Sequence, residues 1–273
     1  MRITTISLAI AGALFALPGI AQADVLSDVK SRGELICGVL GVNEPFGYQD
    51  VQTRETVGYE VDLCRLLGSK LGVKTNIKVV TSQSRVPELA QRRVDVIAAL
   101  LSYTPERAEQ VDFSNNYLAD NSKCIVMADS KYKTLNDLAE ARVAILKGSV
   151  LDGPFRQRFP KATVLNLDDT NTSFLALFQG KVAATCNRVS TARLIEGRIP
   201  NGQPTRFLPE ALIFQNAGFA VKKGEKEFVA YLNNFLEQIE KSGEGQTLFD
   251  KWLGSKSPLK LEREFKFGGP LTD

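Results

Sequence analysis

Residues 94–114, VDVIAALLSYTPERAEQVDFS, place a short apolar run directly before a helix start. The run VDVIAAL is typical of a strand buried on both faces in a parallel sheet covered by helices. Thr104, Pro105 and Glu106 predict a helix with Thr104 as N-cap and Pro105 as its first residue. Arg107 then lies in the first turn, where the helix dipole disfavours a cation by roughly 0.3–1 kcal/mol. The stability of the helix therefore gives no reason for an arginine here.

Strand-like and helix-like segments alternate on both sides of this stretch. Before it, ELICGVL and TNIKVV are typical of strands around an amphipathic helix, GYEVDLCRLLGSKLG. After it, a second series contains the strand-like segments KCIVMA, RVAILKG, TVLNL and VAATCN, with helical segments between them. This repetition predicts an α/β chain with parallel sheets covered by helices. Because the alternation restarts, we expect two lobes.

The predicted crossings between the lobes lie near residues 118–122 and 213–217. Lobe 1 would then comprise residues 24–120 and 216–273, and lobe 2 residues 121–215. The second part of lobe 1 contains an amphipathic helical segment with a break at two glycines, residues 225–253. We expect the tail after it, residues 254–273, to be an extended strap with a loose end.

The first 23 residues have the three regions of a secretory signal peptide. Met1 and Arg2 form a basic start, residues 6–17 are apolar, and residues 21–23, AQA, have the small-x-small cleavage pattern. We therefore expect cleavage after Ala23 and a soluble periplasmic protein. The apolar run is too short to span a membrane, and no Cys follows it at the spacing of a lipid anchor. The alternative is an uncleaved N-terminal core helix.

The composition argues against several classes of function. The 273 residues carry a formal net charge of only +3, and the basic residues are scattered among acidic ones. This pattern does not favour binding to nucleic acid or to an anionic membrane. The chain has no His, which removes imidazole bases and the commonest zinc ligand. No glycine-rich phosphate loop follows a predicted strand. We expect no cofactor and no metal.

The four cysteines, Cys37, Cys64, Cys124 and Cys186, are widely spaced. An even count favours disulfides in an oxidising compartment. Cys37 lies on the first predicted strand and Cys64 on the helix that returns over it, which predicts a bridge between them. Cys124 and Cys186 lie on strands that can be neighbours in lobe 2, which predicts the second pair. The alternative is four buried free thiols.

The order of these motifs resembles a known family. The segments GELICGVLGVNEPFGY, VGYEVDLCRLLGSKLG, residues 94–114, LNDLAEARVAILKGS, ALFQGKVAAT and SGEGQTLFDKWLG are together similar to family 3 of the periplasmic solute-binding proteins of polar amino-acid ABC importers. TSQSRVPEL and the ending FDKW are most similar to the glutamate/aspartate-binding branch. The resemblance implies a two-lobed periplasmic-binding-protein fold of type II with a two-strand hinge. It also implies a monomer that delivers an amino acid or small carboxylate to an inner-membrane ABC permease.

The resemblance implies a role for Arg107. In this family the Arg of TPER binds the ligand's α-carboxylate with a hydroxyl residue five positions earlier, here Ser102. A guanidinium can hold a carboxylate through two hydrogen bonds, and the helix N-terminus adds N–H donors. The alternative is a surface Arg107 paired with Glu109 or Asp112. Further candidates for the ligand site are Ser149 and Val150 in lobe 2, and Asn43, Phe46 and Leu100 in lobe 1, with Phe46 alternatively packing its own loop.

Two departures from the family pattern bear on the ligand. Arg188 stands where the family carries an Asp for the α-ammonium group, and Leu40 stands where the glutamate/aspartate branch carries an Arg. Because Arg188 would repel an ammonium, we expect a ligand without an α-amine, or a second carboxylate on Arg188. The alternative is an Arg188 that pairs with a surface acid such as Glu196, with Asn187 contacting the ligand. Arg85 is a further candidate anion partner, or an exposed arginine on a helix face.

Two other functions are compatible with these motifs. Cyclohexadienyl dehydratases resemble this family, but Thr191 falls near the position of their catalytic Glu. A periplasmic sensor that acts through protein contacts would need no further motif. We expect a binding protein for an acidic ligand and not an enzyme.

Overall fold

The structure is a computed structural model that describes residues 24–196 and 204–271. The predicted signal peptide, residues 1–23, lies outside the described residues. The strands are β1 (Glu34–Leu40), β2 (Val42–Asn43), β3 (Gly47–Gln49), β4 (Thr56–Val57), β5 (Lys74–Val80), β6 (Val96–Ile97), β7 (Val111–Met127), β8 (Arg142–Leu146), β9 (Thr163–Leu167), β10 (Ala184–Arg188) and β11 (Thr205–Lys222).

The α-helices surround these strands. They are α1 (Val25–Arg32), α2 (Tyr59–Leu71), α3 (Arg85–Ala90), α4 (Pro105–Gln110), α5 (Asp152–Arg158), α6 (Thr170–Phe178), α7 (Val189–Glu196), α8 (Lys226–Ser242) and α9 (Glu244–Trp252), and a 3-10 helix covers Leu135–Leu138. None of these helices, within the part of the chain that the structure describes, is long and apolar enough to cross a membrane.

One sheet of eight strands runs through the whole molecule in the order β5-β1-β6-β11-β7-β10-β8-β9. β1 pairs in parallel with β5 and β6, and β8 pairs in parallel with β9 and β10. Between these two parallel groups, β7 and β11 are antiparallel to each other and 17 and 18 residues long. At about 3.3 Å per residue, each reaches from one lobe into the other. The two predicted sheets are therefore joined into one along these hinge strands.

The apolar core is divided between the two lobes. The buried clusters of lobe 1 draw on residues 25–118 and 217–267, and those of lobe 2 on residues 124–208. The gaps between these ranges coincide with the predicted crossings of the chain. The boundaries at residues 120 and 215 themselves remain a prediction.

Local sequence signals account for the helices that matter most for the site. Thr104 caps α4 because its side chain accepts a hydrogen bond from the backbone N–H of Arg107 at 3.2 Å, as predicted. In α8, which lies in the predicted amphipathic segment, the buried residues repeat at helical spacing; they are Phe228, Leu232, Phe235, Leu236 and Ile239. The helices are thus placed by capping and by amphipathic packing.

Both predicted disulfides are present. Cys37 on β1 is bonded to Cys64 on α2, with their Cα atoms 6.2 Å apart. Cys124 and Cys186 are directly opposite each other on β7 and β10, with their Cα atoms 3.9 Å apart, and form the second bridge. The first bridge ties a helix to the sheet of lobe 1, and the second ties a hinge strand to the sheet of lobe 2.

The C-terminal strap is anchored more firmly than predicted. Arg263 pairs with Glu240 of α8 at 2.6 Å, and Phe267 is only 3% exposed. The backbone N–H of Gly268 donates to the carbonyl of Asn116 on β7 at 2.9 Å. The strap up to residue 271 is therefore part of lobe 1, because a buried aromatic ring and a paired arginine hold it against the helix.

Candidate functional site

A small cleft of about 50 Å³ lies between the two lobes. Its walls come from the loops at the ends of the strands of lobe 1, from the loop after β8 and the start of α6, and from the end of β10. Every residue predicted for the ligand site lines this cleft except Phe46; the lining members are Asn43, Arg85, Leu100, Ser102, Arg107, Ser149, Val150 and Arg188. The chain therefore brings together residues that are far apart in sequence.

Three arginines converge on the cleft from three different elements. Arg85 begins α3, Arg107 lies in the first turn of α4, and Arg188 ends β10. Arg85 and Arg188 are only 4% and 6% exposed. Arg85 is therefore not the solvent-exposed helix-face residue of the alternative interpretation.

Arg107 and Arg85 both reach across the cleft to lobe 2. Arg107 donates from Nη1 to the carbonyl of Ser102 at 2.8 Å and from Nη2 to the carbonyl of Gly148 at 2.9 Å. Arg85 donates to the carbonyls of Ala99 at 2.7 Å and Gly148 at 3.3 Å. Gly148 has a φ of +75°, a conformation that glycine adopts without strain. One carbonyl of lobe 2 thus serves two arginines of lobe 1.

Arg188 links the lobes from the opposite side. Its Nη2 donates to the Ser102 hydroxyl at 2.8 Å, and its Nη1 donates to the Gln215 carbonyl at 3.3 Å. The Ser102 hydroxyl donates in turn to Gln215 Oε1 at 2.7 Å. Arg188 therefore faces the cleft and does not turn to the surface. The side chain of Glu196, its predicted alternative partner, lies outside the described residues.

The charged side chains among the described residues that line the cleft are all arginines. The pKa of Arg85 is lowered to about 9, chiefly by burial and then by the charge of Arg107. The pKa of Arg107 is lowered to about 10, chiefly by burial and then by the charge of Arg188. Burial also lowers the pKa of Arg188. All three remain cationic at neutral pH, because a guanidinium holds its proton strongly. No Asp or Glu is among the described residues that line the cleft.

Metal binding finds no support in the same residues. Across the described ranges, no group of three or more Cys, Asp or Glu side chains is arranged to hold a metal ion. The cleft presents hydroxyl, amide and guanidinium groups, which can donate hydrogen bonds.

Phe46 requires a correction. Its side chain is fully buried in the core of lobe 1, where the ring packs edge-to-face against Tyr59 with centroids 6.1 Å apart. The prediction that Phe46 contacts the ligand is wrong, because its loop turns the ring into the core and away from the cleft. The alternative interpretation, that Phe46 packs its own loop, describes the structure.

Four further polar residues line the cleft that were not predicted as site residues, namely Ser82, Thr170, Thr191 and Gln215. Asn187, the alternative ligand contact, lines it as well. Ser82 belongs to the TSQSR motif that supplied Arg85. Thr170 follows Asp169, the N-cap of α6, and contacts Asn43 of lobe 1 at 3.3 Å between their side-chain oxygens. Gln215 lies on a hinge strand without any local signal, so only the fold reveals it.

The fold agrees with comparisons to known proteins. Residues 35–255 match the profile of the bacterial extracellular solute-binding proteins, family 3. The chain belongs to this family. This match agrees with the family of solute-binding proteins that the sequence resembles.

Three relatives show how broad the similarity is. The chain is 26% identical over 239 residues to the glutamine-binding protein GlnH of Bacillus subtilis, covering 85% of this chain and 86% of the relative. It is 27% identical over 238 residues to the L-cystine-binding protein TcyJ of Escherichia coli K12, covering 86% and 88%. It is also 24% identical over 277 residues to an L-glutamate/L-aspartate-binding protein of Pseudomonas aeruginosa, covering 95% and 91%. The similarity therefore extends beyond the glutamate/aspartate-binding branch.

A solved structure confirms the family-3 fold. A mutant of ArgBP from T. maritima superposes with a TM-score of 0.77 at 28% identity, covering 84% of this chain and 98% of that one. The two-lobed α/β architecture predicted from the sequence is thus the fold of a known periplasmic binding protein.

Proposed function

We propose that this chain is the periplasmic solute-binding component of an ABC importer and that its ligand is a small acid with more than one carboxylate. A dicarboxylate or an acidic amino acid meets this description. The observation that carries the proposal is the convergence of Arg85, Arg107 and Arg188 on one cleft that no described Asp or Glu lines.

Charge balance supports a ligand with two negative groups. Guanidinium groups that share a small buried site repel each other unless anions lie between them. One ligand carboxylate can pair with one arginine through two hydrogen bonds. The carboxyl groups of Glu60 and Asp120 offset part of the charge of Arg188, and Glu60 offsets part of that of Arg85, but neither acid lines the cleft. A second carboxylate on the ligand would lower the free-energy cost of burying several arginines in one cleft, since an unpaired buried charge is strongly destabilising.

Neutral and cationic amino acids fit the cleft less well. Relatives of this chain are named for glutamine, cystine and arginine, but Arg188 would oppose the α-ammonium group of any of these. An acidic amino acid could still bind if backbone carbonyls of the cleft accepted from its ammonium group. The TSQSR motif, which supplies Arg85, is similar in sequence to the glutamate/aspartate-binding branch.

Capture would proceed by closure of the hinge. A ligand held by arginines of both lobes favours the closed form, because it binds that form more tightly than the open one. The closed monomer would then be recognised by the inner-membrane permease. No covalent step is needed.

Isothermal titration calorimetry with matched ligands tests the proposal. L-Glutamate and L-glutamine differ in one charged group, and L-glutamate and 2-oxoglutarate differ in the ammonium group. We expect the two acids to bind at least tenfold more tightly than L-glutamine, L-arginine or L-cystine. If L-glutamine or L-arginine bound as tightly as every dicarboxylate tried, the proposal of an acidic ligand would be wrong. The assignment of the chain to its family would not be affected.

A further inference from the structure

The three arginines of the cleft share one backbone segment as their support. Within residues 99–102, the carbonyl of Ala99 accepts from Arg85, and Ser102 accepts from Arg107 through its carbonyl. The Ser102 hydroxyl accepts from Arg188. The path of the chain between Ala99 and Ser102 therefore contributes to the position of all three guanidinium groups, which are also held by the carbonyls of Gly148 and Gln215.

Leu100 gives this segment an unusual backbone conformation. Its φ is +50°, in the left-handed region that a leucine rarely adopts, because its Cβ crowds the following carbonyl. Leu100 also lines the cleft. Such strain persists only where surrounding contacts hold it, and it concentrates at functional sites.

The contact that holds Leu100 comes from a buried carboxylate. Its backbone N–H donates to Glu60 Oε1 at 2.6 Å, and the Tyr117 hydroxyl donates to the same oxygen at 2.5 Å. Glu60 belongs to α2 and is fully buried behind the cleft. Its other oxygen, Oε2, has no hydrogen-bond partner in the described part of the chain. Helix capping does not explain this residue, since its carboxylate is directed to Leu100 and Tyr117.

We propose that Glu60 is a positioning residue of the ligand cleft: by accepting from the Leu100 N–H, it maintains the left-handed turn that directs Ala99 and Ser102 toward the three arginines. Glu60 does not touch the ligand. The effect on affinity rests on the proposed acidic ligand, whereas the effect on the turn does not.

Four variants separate the turn from other roles of Glu60. Glu60→Ala removes the acceptor, and Glu60→Gln keeps one carbonyl oxygen for both donors. In the Glu60→Ala background, Leu100→Gly and Leu100→Ala both remove the leucine side chain. Only glycine relieves the left-handed strain, so alanine is the matched control.

L-Glutamate and succinate serve as probes in calorimetry. We expect Glu60→Ala to weaken binding about tenfold, the scale of a left-handed penalty for one non-glycine residue. Glu60→Gln should stay within about threefold of the wild type. The Glu60→Ala/Leu100→Gly protein should regain most of the lost affinity, and the Glu60→Ala/Leu100→Ala protein should not. If Glu60→Ala alone does not fold, the yield of folded protein is compared instead: Leu100→Gly should restore folding in the Glu60→Ala background, and Leu100→Ala should not.

Amide hydrogen exchange tests the turn at Leu100 without a ligand. The Tyr103 amide, just after the turn, donates to the carbonyl of Asn216 at 3.0 Å. Its protection should fall in Glu60→Ala and return with Leu100→Gly but not with Leu100→Ala. If glycine has no advantage over alanine in folding, affinity or exchange, the positioning role is overturned. If neither probe binds the wild type while the exchange pattern holds, the acidic ligand fails and the role of Glu60 in the turn stands.

Discussion

Arg107 of lobe 1 and Gly148 of lobe 2 are joined directly across the cleft, from Nη2 to the carbonyl oxygen at 2.9 Å. The same guanidinium is held by the Ser102 carbonyl of its own lobe. Arg107, whose charge is disfavoured by the dipole of α4, is thus held by hydrogen bonds to both lobes. Ligand binding and lobe closure would therefore use the same side chain.

Replacement of Arg107 should abolish tight ligand binding and leave the fold intact. Arg107→Ala removes a charge-assisted contact worth about 1.5–3 kcal/mol, so the Kd for L-glutamate should rise at least tenfold in calorimetry. Arg156→Ala is the matched control, because Arg156 is exposed on α5 and pairs only locally, with Asp152 at 2.9 Å and with Asn166. Normal binding by Arg107→Ala would refute the anion-binding role.

Replacement of Arg188 should change which charge the cleft selects. Arg188→Asp places a carboxylate where the cleft now has a buried cation, so preference should move from L-glutamate toward L-glutamine. Arg188→Asn introduces a side chain of nearly the same size as that of Arg188→Asp but without its charge. It should give an intermediate ratio of the Kd for L-glutamate to the Kd for L-glutamine. An Arg188→Asp protein that kept its preference for L-glutamate would show that Arg188 does not set selectivity.

The ionisation of Glu60 should lower stability as pH rises. Burial raises the pKa of Glu60 from 4.5 to about 6, against the opposing effects of the Tyr117 and Leu100 hydrogen bonds and the charges of Arg188 and Arg85. The folded protein therefore binds more protons than the unfolded chain between these values, and stability is lost as pH rises through about 6.

Urea unfolding of the wild type and Glu60→Gln measures this effect, since other titrating groups are common to both. The free energy of unfolding of the wild type should fall by about 2 kcal/mol relative to Glu60→Gln between the acidic and neutral limits. Parallel pH profiles for the two proteins would mean that Glu60 titrates at an ordinary pKa.

The two disulfides should stabilise the chain unequally. Their sequence separations are 27 residues for Cys37–Cys64 and 62 for Cys124–Cys186. In the chain-entropy model these loops correspond to about 3.5 and 4 kcal/mol. Urea unfolding of the two Cys→Ser double variants should show both losses. Mass mapping that found four alkylatable thiols in the untreated protein would contradict both bridges.

The sequence by itself determined the family, the α/β class, the start of α4 at Thr104 and the two cysteine pairs. The first three depend on side-chain periodicity, capping or motifs, which involve residues near one another in the chain. The cysteine pairs span 27 and 62 residues, and they were predicted by placing each Cys on a predicted strand or helix. The role assigned to Arg107 also came from a local motif.

Only the tertiary structure decided the rest of the cleft. Arg85 is buried, Phe46 turns into the core, and Ser102 meets Gln215, which lies 113 residues away. The left-handed turn at Leu100 is held by Glu60, 40 residues earlier. No local pattern encodes such contacts, because each depends on how two lobes pack and on which side chain the remaining space admits.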